Sequence, residues 1–372
     1  MKKILIVGAG ISGLYLANLL QKHGKYKYKI LEKRSNLDLY DGYGIQISVN
    51  GIKLLNKIGF KEIAVHDIFY PRSINFYEAK NSKLISQIDI SKYNEGYNYY
   101  TTLKRSLLLN FLLKDIPKEN ILFSSEIEDI ESTDSIKVKI KGKLTEEVNY
   151  LAICDGVFSK SKNLVINKPK NVKFNNSVAL RGNLKNLENE NIAVYLGSNF
   201  HFVTYPINQS NEYNFISIIK CKNLDKIQKS EQGVIINQLF EKIKSTSSFD
   251  FENKFENMSL YPVFVSDSFD IPKNKNIFIA GDALFAFSPS FAQGASQSIE
   301  SAFEIFENLE GLQNDYYKKR RARVNQIKLR SNFNNFAFQV SNPILAFARN
   351  IGLAYLTKNK KFLTNYVGKI YK

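Results

Sequence analysis

Apolar and polar residues alternate with different periods along this chain of 372 residues, and the changes of period divide it into segments. The opening Lys2-Lys3-Ile4-Leu5-Ile6-Val7 reads as a short buried strand, and the apolar positions from Leu14 onward recur at helical spacing. A second strand is expected over 28–33, a loop or short strand over 42–47, and a helix over 50–59 closed by its glycine. Leucines crowd one face over 103–113, which predicts a further helix. Short strand-like pieces fall within 73–90 and at 121–123, 136–140 and 148–153. From 172 to 261 apolar and polar residues alternate, notably at 192–196, 200–205 and 214–220, which predicts an antiparallel sheet interrupted by one helix near 232–245. The continuous apolar run over 276–282 returns to a parallel type of strand and feeds a loop and then a helix from Gly294. Strands from the two chain ends are therefore expected in one sheet, with the antiparallel sheet inserted between them.

The first strand runs into Gly8-Ala9-Gly10-Ile11-Ser12-Gly13, a GxGxxG turn opening a helix. Gly8 permits the tight turn, Gly10 lets the main chain approach a pyrophosphate, and Gly13 lets the helix pack on the strand, while free N–H groups and the helix dipole face the anion. The second strand ends at Glu32, followed by Lys33, about 20 residues further on, where a carboxylate meets a ribose hydroxyl. The turn and the acid together predict a dinucleotide-binding βα unit. The glycines, and the lack of a small-residue cleavage site before Gln21-Lys22-His23-Gly24, argue against a secretory signal. No run of about 18 apolar residues predicts a membrane span, so a soluble or peripheral protein is expected.

An apolar share of 44% allows a large core in two lobes. Cys154 and Cys221, far apart, provide neither a disulfide framework nor metal-ligand spacing, so no metal is expected, and a cytoplasmic location fits. The net charge is +17, and residues 315–372 hold 13 Lys or Arg against one acid, a net of +12. There the cluster Lys318-Lys319-Arg320-Arg321-Ala322-Arg323 precedes an apolar stretch over 343–356. Such a pair is first of all a solvated helix followed by one packed on the core or on a second subunit; it also suits a lipophilic substrate or an anionic membrane surface, which would place the protein peripherally on an inner face. No nucleic-acid motif accompanies the charge.

The segment from Gly281-Asp282 through Pro289 to Gly294-Ala295-Ser296 resembles the second flavin motif of the single-component aromatic hydroxylases. These are FAD-dependent monooxygenases of the para-hydroxybenzoate hydroxylase fold, with salicylate-hydroxylase-like enzymes most similar in pattern. The likeness covers most of the chain. It includes Arg105 before the leucine-rich helix, the Asp-Gly motif at Cys154-Asp155-Gly156, and His201-Phe202-Val203-Thr204-Tyr205-Pro206, similar to a strand bordering the family's active site. The implied fold is α/β: a Rossmann-type FAD-binding domain with an inserted antiparallel β-sheet substrate domain and C-terminal helices. The implied division assigns 1–72, 99–171 and 266–314 to the FAD-binding domain, 73–98 and 172–265 to the substrate domain, and 315–372 to a basic helical segment.

The resemblance implies noncovalent FAD, with NADPH or NADH as co-substrate. Asp282 would accept a hydrogen bond from the ribityl chain, and Gly294, Ala295 and Ser296 would present N–H groups to the flavin pyrimidine. Pro289 would lie beside the flavin ring, Arg105 would reach the phosphate or ribose side, and the main chain at Ile127 would meet adenine. Asp155, in the Asp-Gly segment, is implicated by relatives in NAD(P)H docking and proton handling. The family usually has a histidine at Phe285, an acid at Ser301 and an arginine at Lys162, and these departures bear on the same two steps. The implied chemistry takes hydride from NAD(P)H, adds O2 at flavin C4a and transfers the distal oxygen of the hydroperoxide to a small aromatic or isoprenoid-like substrate, hydroxylating or epoxidising it.

His201 is the candidate base, since a near-neutral imidazole suits that role. Alternation puts His201, Val203 and Tyr205 on one strand face, which lines either the pocket or the core. Tyr205, Phe285, Phe287 and Pro289, with Phe200 and Phe291 nearby in the motifs, predict an apolar, aromatic substrate pocket. Competing readings are a flavin reductase or dehydrogenase acting on lipid or prenyl chains, and a non-catalytic flavin-binding partner of a biosynthetic complex. A flavin halogenase is disfavoured because the chain has no Trp. The oligomeric state is left as monomer or homodimer.

Overall fold

The computed structural model describes all residues except 38, 40–42, 134, 144, 167–171, 226, 227, 229, 252–254, 314 and 372. Residue 42 of the expected loop or strand, and the expected segment ends 171, 314 and 372, thus lie outside the described residues.

A five-stranded parallel sheet joins the two chain ends. It runs from β18 (Ile277–Ile279) through β12 (Tyr150–Ile153), β1 (Lys2–Val7) and β2 (Tyr26–Leu31) to β8 (Ile121–Leu122). Strands β1, β12 and β18 are buried where they pair, over 4–7, 151–153 and 277–279, whereas β2 alternates buried Tyr28 and Ile30 with exposed Lys27 and Lys29 and so has one face open to solvent. Helices α1 (Ile11–His23) and α6 (Gly294–Leu309) pack against each other beside it. A small antiparallel sheet of β9 (Ile127–Ser132), β10 (Ile136–Ile140) and β11 (Glu146–Val148) flanks it. The expected single strand over 148–153 is two strands in different sheets, divided at Asn149, whose side chain accepts from Lys3 N at 2.7 Å.

The second large sheet has seven strands in the order β17 (Phe255–Ser266), β13 (Val172–Lys185), β16 (Glu212–Lys220), β15 (Phe200–Pro206), β14 (Ile192–Leu196), β5 (Ser73–Glu78), β6 (Leu84–Asp89). All neighbours pair antiparallel except β14 with β5, so the sheet is mixed at one joint. Helix α5 (Gln232–Thr246) belongs to the core on one face, with Phe202, Phe215 and Leu180. Residues of the opposite face, among them Val194 and Tyr205, pack with the C-terminal segment at Ile327, Phe338 and Ile370.

A three-stranded sheet of β3 (Gly44–Ile47), β7 (Thr101–Lys104) and β4 (Ile68–Phe69) bridges the two halves. The helix expected from 103 begins two residues later, as α3 (Arg105–Leu113), because Leu103 is buried in β7 opposite Ile45 and Ile68. Helices α2 (Val49–Leu55) and α4 (Lys160–Ile166) complete the first half. At the C-terminus lie α7 (Tyr316–Phe338) and α8 (Pro343–Leu356). Among the described residues no helix is long and apolar enough to cross a membrane.

Candidate functional site

The GxGxxG turn is built as its spacing predicts. Gly8 adopts φ +99°, its N–H donates to Leu31 O at 2.7 Å, and a Cβ there would lie 2.6 Å from Cys154 O. A Cβ on Gly13 would lie 2.0 Å from Gly8 O, so the helix packs on the turn only because that Cβ is missing. Gly10 differs: no atom lies within 4 Å of the position its Cβ would take. The amino end of α1, at Ile11, Ser12 and Gly13, has no side-chain cap and no acid in its first turn, so N–H groups and dipole face this open space. Glu32 is buried at the end of β2, accepting from Ala9 N and Arg34 N at 3.0 Å each, which fixes the carboxylate at the strand's carboxyl edge. Lys33 points to solvent.

A second helix end meets the first. Gly281, at φ +59°, donates from its N–H to Ser301 Oγ at 2.9 Å, and a Cβ there would strike Ser12 Oγ at 2.4 Å. The Gly281–Ala283 turn therefore wedges between the first turn of α1 and the body of α6. Ser301, where the resemblance leads to the expectation of an acid, serves as this turn's hydrogen-bond acceptor. Asp282 next to it is open to solvent, yet protein surrounds it closely enough that desolvation pushes its carboxyl up to about 6. A group both accessible and desolvated lines a cleft. The amino end of α6, Gly294-Ala295-Ser296, also lacks a side-chain cap, and the space beside Gly294 is open.

Asp155 adjoins the first turn, since Cys154 N donates to Val7 O at 2.8 Å. Its Oδ2 accepts from Ser161 N at 3.3 Å, and its Oδ1 is buried with no partner among the described residues. Burial raises its pKa more than the Ser159 and Ser161 hydrogen bonds lower it. Lys162 is buried as well; desolvation lowers its pKa, with Asp270 opposing. Arg105 starts α3, half-buried, with its N–H donating to Tyr43 O at 2.9 Å. Ile127 opens β9 with its side chain in the core, so only its main chain can face a ligand.

Strand β3 links the cleft to the seven-stranded sheet. At one end Gly44 N donates to Asn214 Oδ1 at 2.8 Å; just past the other, Ser48 N donates to Ser296 Oγ at 3.1 Å. Between them Gln46 accepts from Tyr100 at 2.7 Å and lies beside Tyr205. The register aligns three rows on the sheet face opposite α5: Ala179, Ile218, His201; then Arg181, Ile216, Val203; then Asn183, Asn214, Tyr205. All of the first row is buried, as are Asn214 and Tyr205 in the third, whereas all three members of the middle row are half-exposed. The face therefore opens at its centre on two apolar residues and one guanidinium. Asn183 Oδ1 and Asn214 Nδ2 are buried there without partners among the described residues.

His201 departs from the expectation of a near-neutral imidazole. It is 2% exposed, its ring packs edge-on against Phe338 at 5.2 Å, and burial pushes its pKa down to about 3, so it is neutral at neutral pH. Phe200 also differs from expectation: it faces α5, on the opposite side of the sheet from Tyr205. The structure divides the four expected pocket residues. Phe285 and Phe287, in ring contact at 5.0 Å, line a cavity of about 370 Å³ between the 285–288 segment and α7. Tyr205 and Pro289 do not line that cavity; Tyr205 joins the apolar cluster that Phe287 and Phe291 pack against, and Pro289 opens a tight turn, Pro289–Phe291.

Arg181, Asn183, Asn214 and Gln46 escaped the sequence reading. For Arg181 the signal was available: a charge that directly follows the apolar run Val178-Ala179-Leu180 within a strand. The two asparagines carry no such mark in a chain rich in asparagine, and Gln46 is one polar residue of a short half-buried strand.

The residues present fit FAD: two helices packed against each other both have uncapped amino ends, Gly10 leaves room for a phosphate, and acids stand at both strand ends. The fold and this cleft define a flavoprotein of the FAD-dependent hydroxylase type. The chain belongs to the FAD binding domain family, whose model matches residues 1–326. Its relatives include the dual trans-enoyl reductase/FAD-dependent monooxygenase tazHJ of Aspergillus terreus, 24% identical over 96% of this chain and 55% of that one. The chain thus spans about half the length of that relative. The 3-amino-4-hydroxybenzoate 2-monooxygenase PtmB3 of Streptomyces platensis is 23% identical over 88% of this chain and 86% of its own. Among solved structures, Klebsiella pneumoniae HpxO complexed with FAD and uric acid matches with a TM-score of 0.83 at 15% identity, covering 100% of this chain and 96% of that one. A salicylate hydroxylase substrate complex matches at 0.76 and 16% identity, covering 100% and 97%.

Proposed function

We propose that the chain is an NAD(P)H-dependent FAD monooxygenase that hydroxylates or epoxidises a small hydrophobic substrate held over the open centre of the seven-stranded sheet. The division into FAD-binding, substrate and C-terminal segments read from the sequence is part of this proposal. The observation that carries it is the half-exposed row Arg181, Ile216, Val203, joined through β3 to the uncapped end of α6.

In this reading FAD, held here, would supply the hydride and O2 chemistry, and the chain binds, orients and shields. The amino end of α1 meets the pyrophosphate, with Gly10 giving room and Glu32 holding a ribose hydroxyl. Asp282 would accept from the ribityl chain, and the free N–H groups of Gly294, Ala295 and Ser296 would favour negative charge on the pyrimidine side of the flavin. Pro289 and the phenylalanines beside it exclude water. A phenol lying on the sheet meets the Arg181 guanidinium, whose charge favours the phenolate. His201, neutral and walled in by Phe338, contributes shape to this face, and Arg181 takes the electrostatic role expected of it.

The test is O2 uptake by FAD-loaded protein against a panel of phenols, quinone precursors and polyenes. Substrate-stimulated uptake with stoichiometric NAD(P)H loss is expected, and Arg181→Gln should lower the rate with phenols more than with polyenes. Turnover without oxygen would shift the assignment to a reductase or dehydrogenase, and absence of NAD(P)H oxidation with every compound to a non-catalytic flavin-binding partner.

A further inference from the structure

None of the 14 residues of α8 is buried. Ile344, Phe347, Ile351 and Tyr355 are 77%, 68%, 58% and 71% exposed, and their spacing places them along one stripe of the helix. Leu353, on the opposite side, packs on the core beside Phe76 and Phe338, and Arg349 donates to Ala337 O at 3.1 Å, so the helix is docked with its apolar stripe outward. Helix α7 repeats the pattern, with Leu329, Phe333 and Phe336 exposed at i, i+4 and i+7. Of the twenty large apolar side chains exposed among the described residues, eight lie between Leu329 and Tyr355. Scattered singly they would need no explanation; concentrated on two consecutive helices they mark an interaction surface.

The charges that the C-terminal helices themselves carry have one sign. Exposed Lys358, Lys360 and Lys361 follow α8 directly, and from residue 316 to the end the chain has no Asp or Glu. Glu78 of β5 is the acid that acts on Arg349. A second copy would bring the same cations to the same rim, on a chain already at +17. The stripes are convex helix ridges carrying aliphatic and aromatic side chains, which suit insertion into a fluid boundary better than a fitted groove.

We propose that α8, with the exposed stripe of α7, docks the protein reversibly on an anionic lipid surface: the apolar stripe enters the acyl boundary and the lysines meet the headgroups. Phe336 also borders the 370 Å³ cavity, so docking sets the mouth of that cavity at the lipid.

The test is sedimentation of the full chain with vesicles of phosphatidylcholine alone or mixed equally with phosphatidylglycerol. Binding is expected only to the mixed vesicles and should weaken with salt. Changing Lys358, Lys360 and Lys361 together to Gln should weaken it about a hundredfold, at roughly fivefold per lysine. Phe347→Glu with Ile351→Glu should abolish it while leaving FAD content and thermal unfolding unchanged. Failure of the parent protein to bind mixed vesicles overturns the proposal, as does equal binding by the glutamate variant. A dimer in light scattering that the glutamate variant dissolves would also overturn it, by assigning the surface to a second copy.

Discussion

Helix α6 touches two kinds of buried polar chemistry, one closed by the chain itself and one left open. On its flank Glu300 and Glu304 receive Arg320 at 3.3 and 3.2 Å, Gln297 accepts from Arg320 at 2.5 Å, and Arg323 grips Glu300 with two nitrogens. Burial pushes the Glu300 carboxyl up, but Arg323, Arg320 and Asn50 more than offset it and hold it below the usual carboxylate range. Arg323 also donates to the carbonyls of Lys369 and Ile370, tying the chain's last turn to the same cluster. In front of its amino end, by contrast, Asp282 stands desolvated beside an uncapped helix, and Asp155 beside the GxGxxG turn and Asn183 and Asn214 on the seven-stranded sheet each bury an atom with no partner among the described residues. Buried polar atoms are nearly always paired, so a paired cluster reads as architecture and a group of unpaired ones as a place where a ligand supplies the partner. The closed cluster is not perfect, since Arg320 Nε is also unpartnered, but its charges are neutralised.

Removing the central charge of the closed cluster should have the largest effect. Arg320→Ala leaves Glu300 and Glu304 buried with less compensation and should cost about 3 to 5 kcal/mol in denaturant unfolding. A loss below about 1 kcal/mol would erase the distinction between the two regions.

His201 sharpens the comparison through pH. Its folded pKa of about 3 lies below the unfolded value, so the unfolded chain takes up the proton first as pH falls. The stability this group contributes is present above about pH 6.5 and is lost on acidification, by about 2 kcal/mol between pH 6.5 and 5. Urea unfolding of His201→Gln at pH 7 and pH 5 should show that much less acid sensitivity than the parent. Equal sensitivity would mean that the ring is hydrated and free to titrate.

How much of this was legible in the chain follows from the range of the forces involved. The Gly8–Gly13 turn, Glu32 and the Asp282 strand end are set by local geometry, where residue type and spacing suffice, and the structure places them as the spacing predicts. The length of β7 was not legible, because Leu103 obeys cross-strand partners at Ile45 and Ile68 rather than its helical neighbours. Nor was the fate of the basic cluster: Arg320 looks like its neighbours in sequence, and only packing on α6 separates it, buried, from exposed Arg321. For His201 the alternation showed the face, but whether that face was wet depended on Phe338, 137 positions further along.

Asp282 tests the open region with opposite signs in two measurements. Its raised folded pKa means that ionising it in the FAD-free protein costs stability as pH rises past the unfolded value, fully so above about 6. Because the carboxyl is solvent-accessible, Asp282→Asn should stabilise the FAD-free protein by only about 1 kcal/mol at pH 8 and by nothing near pH 3. The same change should weaken FAD binding by about tenfold, as expected for one lost hydrogen bond to a charged acceptor. A variant that loses stability at pH 8 would move Asp282 into the architectural class.

The smallest effect on the fold should come from Gly10, and for that reason it isolates the ligand. Its φ of −88° and ψ of −174° are open to any residue, and no atom lies within 4 Å of where a Cβ would stand. Gly10→Ala should therefore leave the FAD-free protein unchanged or stabilise it by about 0.5 kcal/mol, through the unfolded chain alone. The added methyl instead occupies the space in front of the α1 amides, where a pyrophosphate must come close to be held. FAD affinity, read by flavin fluorescence on titration, should fall by on the order of tenfold or more. If FAD binds Gly10→Ala as tightly as the parent, the open space at this turn is not where its phosphates lie, and the separation between chain-closed and ligand-closed polar regions fails at its best-defined point.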